Sequence, residues 1–250
     1  MSLPDWLEAL LPGETAATWK EVAPLVPAEV YLGGGNAIAV HLRHRPSRDL
    51  DFFYHMTAVD LDRLAERLAA HGTFAITQRA PGTLNGLYGE TRLQFLQAGL
   101  GRPEHRLEPT TPLGGLQVAG LGDLLAMKLN AIAGRAQLRD YFDLMTIEQR
   151  GNRTIEEGLG LFLARYQPEH EDSALTPIVF ALGHLDDVGD DPFLPIERDA
   201  IVHYWQQRQP ELLLAIERHG ITRPAPLEPP EHNRDPPSPG REPPGLELDR

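Results

Sequence analysis

The chain has 250 residues, of which 41% are hydrophobic and 24% charged, with no cysteine and a formal charge of −13. That length and balance describe a globular protein with one large core or two small ones, and the missing cysteines exclude a disulfide framework and a thiolate metal site. The acidic balance excludes broad, sequence-independent duplex binding, which draws on many Lys and Arg contacts to phosphate.

The first residues, "MSLPDWLEALLPGE", lack a basic n-region and a long apolar run, and no stretch is apolar for long enough to cross a bilayer. A cytoplasmic protein with no membrane partner is expected. Strand-like runs rich in β-branched or aromatic residues follow at "AEVYL", "DLDFFY", "TFAITQ", "TLNGLY" and "TRLQFLQ", interrupted by the helical patterns "NAIAVHL" and "VDLDRLAERLAAHG". From Leu121 the pattern becomes helical. "LGDLLAMKLNAIAGRAQ", "LRDYFDLMTIEQR", "TIEEGLGLFLARYQ", "ALTPIVFALGHL" and "ERDAIVHYWQQR" carry apolar residues at three- and four-residue spacing, and Thr154 with Glu157 forms a capping-box signature. A boundary is expected near residue 119, giving an α+β chain with an α/β domain at 1–119 and a helical domain at 120–221. Beyond it, 222–250 is dominated by Pro and charge, with too little apolar surface to offset its ordering entropy, and a disordered tail is expected there.

The stretch "YLGGGNAIAV" reads as a buried strand, a glycine turn and a helix. A helix entered through glycines presents free N–H groups and the positive end of its dipole, which suits a phosphate. It is not a dinucleotide fingerprint, since Ile38 stands where the last glycine is required, and the P-loop Gly-Lys-Ser/Thr is absent. In a strand, Asp49 and Asp51 point to one face, where each raises the other's pKa unless a cation lies between them. That geometry suits a hard divalent ion. The densest basic patch, "HLRHRPSR", lies directly upstream. The acidic run Asp186, Asp187, Asp190 and Asp191 lacks the order of a calcium loop and reads as solvated, and Tyr204 with Trp205 reads as core packing on an amphipathic helix.

At these residues the sequence resembles a known family. "GGGNAIAVHLRHRPSRDLDFF", residues 33–53, and "MKLNAIAGRAQLRDYFDL", residues 127–144, are similar to the two signatures of the AbiEii/AbiGii-type nucleotidyltransferase toxins of the DNA polymerase beta-like superfamily. The resemblance implies a small mixed sheet with flanking helices, followed by a helical domain. It also implies transfer of a nucleotide monophosphate unit from an NTP to a tRNA end or a protein side chain, by the toxin of a type IV-like pair with a cognate antitoxin. Gly34, Gly35 and Asn36 would hold terminal phosphates, with Asn36 where the family has Thr or Ser. Asp49 and Asp51 would hold Mg²⁺ or Mn²⁺, and Arg45 and Ser47 would position that pair or touch phosphate. Lys128 would meet the triphosphate, Arg135 would face the cleft from the next turns of the same helical path, and Asp140 would activate the acceptor or hold Arg135, with Asp143 one turn on. Any RNA acceptor would lie on the strip of Arg43, Arg45, Arg48, Lys128, Arg135 and Arg139.

One position departs from the family pattern. The third carboxylate, on a later strand, falls at Gln94 in "TRLQFLQ". An amide neither accepts a proton at neutral pH nor binds a hard cation as an anion does. Glu90, Asp140 or Asp143 is then expected to supply the charge, or the protein is a nucleotide binder without turnover. An interaction protein acting through its tail and acidic surface is the third reading.

Overall fold

The computed structural model describes residues 2–55, 59–101 and 104–224. Two helices that the sequence reading did not pick out, α1 (Asp5–Leu10) and α2 (Gly13–Val22), open the chain. They bury Leu7 and Trp19 completely, and the Trp19 indole N–H donates to the Gly114 carbonyl. Strand β1 is only Tyr31–Leu32, shorter than "AEVYL", because Val30 N–H is already engaged by the Pro27 carbonyl in a turn. Helix α3 (Gly34–Leu42), strand β2 (Leu50–Tyr54), helix α4 (Leu61–His71) and strands β3 (Phe74–Ala80), β4 (Thr83–Tyr88) and β5 (Thr91–Gln97) follow as expected in type and order. Asp60 caps α4 by accepting the N–H groups of Asp62 and Arg63. A hairpin absent from the sequence reading, β6 (Thr111–Leu113) and β7 (Leu116–Val118), completes a seven-stranded sheet in the order β3-β4-β5-β2-β1-β7-β6. The pairs β2–β5 and β1–β7 are parallel and the rest antiparallel, so this is the mixed sheet expected.

The helical part comprises α5 (Leu121–Gly134), α6 (Leu138–Arg150), α7 (Ile155–Tyr166), α8 (Glu171–Gly183) and α9 (Arg198–His219). Thr154 caps α7 by accepting Glu157 N–H, whereas the Glu157 carboxylate turns to Arg153 instead of closing the reciprocal half of the capping box. Trp205 is fully buried and donates to the Tyr141 carbonyl, in keeping with core packing. One continuous cluster of buried apolar side chains runs from Leu3 through the sheet to Leu212. After α9, Thr222 and Pro224 lie against Gly160 of α7, and Arg223 Nη1 lies 3.2 Å from Glu171 Oε1 at the start of α8. The remainder of the expected tail lies outside the described residues. Among the described residues no helix is long and apolar enough to cross a membrane.

Helix α3 is the element that aims the site. Its C-terminal end is fixed by Arg150, which donates to the Leu42 carbonyl at 2.6 Å, and His41 Nε2 bonds the Ala119 carbonyl at 2.8 Å. Its other end opens on a gap between the sheet face and α5.

Candidate active site

The gap is a cavity of about 750 Å³ lined by the glycine entry of α3, the exposed faces of β2 and β5, the loop before β2, and α5 with the start of α6. Gly33 is extended and caps α3, its N–H bonded to the Asp51 carbonyl at 2.7 Å. The first bond of the helix runs from Ala37 N–H to Gly33, so the N–H groups of Gly34, Gly35 and Asn36 stand ahead of the ladder. Gly34 has φ +64°, and a Cβ there would overlap the Asp51 carboxylate. A Cβ on Gly35 would come within 2.8 Å of Ser47 Oγ and 3.0 Å of Arg45 Nη2. Glycine is thus required at Gly34 by backbone conformation and by the close approach of a carboxylate.

Across the two parallel strands, side chains facing the cavity pair in rungs. Asp51 lies opposite Gln94, and Phe53 lies opposite Leu96. One rung earlier, Asp49 sits just before β2 rather than within it, and its Oδ2 accepts from Arg92 Nη2 at 2.7 Å. Leu50, Phe52 and Tyr54 turn into the core, so Phe53 belongs to the cavity face. Asp51 is held above the ordinary carboxylate range by burial and then by Asp49, against the opposing pull of Lys128, Arg92 and Arg135.

A second polar cluster joins the loop before β2 to the helices. Asp143, fully buried, accepts from Arg45 Nε at 2.6 Å and Nη2 at 2.7 Å, lies 2.7 Å from His44 Nε2, and pairs with Lys128 Nζ at 2.6 Å. Lys128 also donates to Asp140 Oδ1 at 2.6 Å. Burial alone would raise Asp143, but Lys128 and Arg45 outweigh it and hold the carboxyl well below its usual range. Burial alone would lower Arg45 and Lys128, and Asp143 reverses that for both. His44 is pushed down by burial, so it stays neutral near pH 7.

These contacts change several expectations. The Asn36 side chain is fully buried and donates to the Asp49 carbonyl at 2.7 Å, so it positions the loop that carries Asp49, and only its backbone N–H faces the helix entry. Arg45 is locked on Asp143, and Lys128 is shared between Asp140 and Asp143. Arg135 does not continue the helix of Lys128, because α5 ends at Gly134 and Arg135 adopts extended backbone. It still lines the cavity, with Nε 4.0 Å from Asp140 Oδ2. The expected basic strip is broken up: Arg43 lies over the Trp6 ring at 4.2 Å, while Arg48, Arg135 and Arg139 remain on the cavity wall. Of the three substitutes for Gln94, Glu90 is exposed in the β4–β5 turn, about 13 Å of strand away. Asp143 is fully committed, and Asp140 lines the cavity with an Oδ2 that makes no hydrogen bond among the described residues. Arg92 and the role of Asp143 were missed by the sequence reading. The only available signal was Arg92 standing two residues before Gln94, on the same face of the strand. Asp191 and Phe193, from the loop read as solvated, also reach the cavity wall, with the Arg48 guanidinium 4.4 Å from the Phe193 ring centre.

Three comparisons bear on this arrangement. A curated relative, an uncharacterized protein of Aquifex aeolicus (strain VF5), is 24% identical over 180 residues, which is 72% of this chain and 82% of that protein. Among solved structures, the MenT4 nucleotidyltransferase toxin of Mycobacterium tuberculosis H37Rv shares the fold at a TM-score of 0.53 and 19% identity, over 83% of this chain and 84% of that one. JHP933 of Helicobacter pylori aligns at a TM-score of 0.48 and 16% identity, over 87% and 96% of the two chains. The family model described as "Nucleotidyl transferase AbiEii toxin, Type IV TA system" matches residues 22–216, most of the described chain, and the protein therefore belongs to the AbiEii family of nucleotidyltransferase toxins.

Proposed function

We propose that the cavity binds an NTP with one end of its triphosphate at the glycine entry of α3, and that the chain transfers the nucleotide monophosphate unit to an acceptor hydroxyl in a reaction that depends on Mg²⁺ or Mn²⁺. The observation that carries this reading is the abutment of Gly34 on Asp51, which sets free helix N–H groups and a carboxylate pair side by side. Asp51 fits a divalent cation because it is half-buried beside Asp49 and, among the described residues, its carboxylate has no side-chain hydrogen bond or ion pair of its own. Asp49 and Asp51 would hold the ion, which when bound neutralises phosphate charge and favours departure of pyrophosphate. Residues 1–119 supply the phosphate and metal side of the cleft in this reading, and 120–221 supply Lys128, Arg135 and Asp140.

In the transfer, the acceptor oxygen bonds to the α-phosphorus and the bond from that phosphorus to the α,β-bridging oxygen breaks. Pyrophosphate leaves with the electron pair, and the hydroxyl proton passes to Asp140 Oδ2. The acceptor is a tRNA end or a protein side chain. An RNA acceptor would meet Arg48, Arg135 and Arg139, and its binding would weaken steeply with salt. A second reading, nucleotide binding without turnover, is favoured by Gln94 standing in register with Asp51.

Calorimetric titration of NTP and Mg²⁺ into wild type and into the Asp49→Ala/Asp51→Ala variant tests the site, and equal affinity in both overturns it. Incubation with each α-labelled NTP, Mg²⁺ or Mn²⁺, tRNA and a cell lysate then separates the two readings. Labelled RNA or labelled protein supports transfer, and binding with no label in either supports the second reading.

A further inference from the structure

Asp49, just before β2, is ion-paired with Arg92 on β5. Two-metal phosphoryl-transfer sites hold their ions about 3.5–4 Å apart on shared carboxylates. Here the cavity face of β2 and β5 offers two carboxylates, an amide and a guanidinium. Gln94 lies in register with Asp51, and Arg92 Nη2 lies 2.7 Å from Asp49 Oδ2. Among the described residues, no group of three or more His, Cys, Asp and Glu side chains converges as a metal site. A second dication beside Asp49 would therefore meet the Arg92 guanidinium and a neutral amide where it needs anions, and like charges at that distance repel. Arg92 is also 45% exposed along its side chain and lines the cavity, so its head group can reach a bound anion while one nitrogen stays on Asp49.

We propose, on the basis of the transfer reading above, that Arg92 contacts the reacting phosphate and takes the place of a second divalent ion, so that this chain works with one metal ion per site. A guanidinium suits the task because its planar fork can bind a carboxylate on one edge and phosphate oxygens on another. As the acceptor oxygen adds to the α-phosphorus and pyrophosphate departs, Arg92 stabilises charge on the non-bridging oxygens without itself gaining or losing a proton. The Asp49–Arg92 ion pair is then part of the working site and also keeps the carboxylate pair from full mutual repulsion before nucleotide arrives.

The test uses full-length protein with Mn²⁺ and an α,β-methylene NTP, which binds but is not cleaved. Wild type is expected to take up one Mn²⁺ per chain with an uncoupled electron paramagnetic resonance spectrum. The double variant Arg92→Ala/Gln94→Asp, which restores an anion and removes the cation, is expected to take up two and to show spin coupling between them. Two coupled Mn²⁺ ions in wild type would overturn the proposal while leaving the transfer reading intact, and no Mn²⁺ uptake with nucleotide would overturn both. In transfer assays Arg92→Ala is expected to lower kcat by about 100-fold or more with a much smaller change in nucleotide affinity, and Arg92→Lys to recover part of the loss. An unchanged kcat in a folded Arg92→Ala protein also overturns it.

Discussion

Asp143, fully buried behind the cavity wall, and Asp51, half-buried on the cavity face, have surroundings that drive them in opposite directions. Asp143 is enclosed by Arg45, Lys128 and His44 and is held firmly ionised. Asp51 has a like charge beside it, a neutral amide across the strand, and cations only at a remove, so its charged form is costly. The first is a completed ion cluster that joins two parts of the chain. The second is an incomplete one, with its shortfall facing the space where nucleotide is proposed to bind. The inventory of opposite charge around a carboxylate, more than its depth, separates these two roles.

Breaking the completed cluster carries the largest expected effect. Asp143→Ala leaves Arg45 and Lys128 buried without their main counter-charge and should destabilise the protein by about 3–5 kcal/mol in urea unfolding at pH 7. A loss under 1 kcal/mol would show that the two cations find other partners. Gly34→Ala tests the open cluster by sterics, since the new Cβ meets the Asp51 carboxylate on a backbone at φ +64°. A stability loss of about 1–3 kcal/mol is expected, together with loss of NTP binding by calorimetry.

Asp51→Asn should abolish metal-dependent nucleotide binding yet leave the protein as stable as wild type or more so, because it removes a charge that folding disfavours. A clear drop in melting temperature would refute the contrast with Asp143. The two residues also differ in sign with pH. Asp143 has a folded pKa below the ordinary 3.8, so its contribution is complete above that value and fades as pH falls below it. Asp51 has a folded pKa above 3.8, so its penalty is present at neutral pH and disappears as pH falls through the folded value to 3.8. The smallest predicted effect follows: the stability gap between wild type and Asp51→Asn narrows on acidification, before the gap to Asp143→Ala does.

The fold's elements were legible where local pattern is strong. The glycine-entered helix, the DLDFF strand, β5 at Thr91–Gln97 and the Thr154 cap each follow from a few adjacent residues. Helices α1 and α2 were not found, because both are short, and Trp19 of α2 is held by Gly114 in the distant β6–β7 turn. At the site, the sequence displayed the residue types without their allegiances. Nothing local says that Arg45 turns inward to Asp143, that Asn36 reaches back to Asp49, or that α5 stops at Gly134 so that Arg135 leaves the helical path. For Arg92 the strand period showed only that it shares a face with Gln94; its nearness to Asp49 comes from β2 pairing parallel with β5, which periodicity in one strand cannot reveal.

The Asp143 cluster also sets a clock on the protein's own synthesis. His44 and Arg45 precede Asp143 by 99 and 98 positions. At about 5–20 residues per second, the ribosome takes roughly 5–20 s to deliver the anion that locks them. A nascent chain that has already made its glycine turn and both cavity aspartates therefore lacks the joint that fixes one against the other. Until residue 143 has left the ribosome, His44 and Arg45 have no anion to join them to the helices, and a message cut short before it yields a fragment with the glycine turn but without that joint.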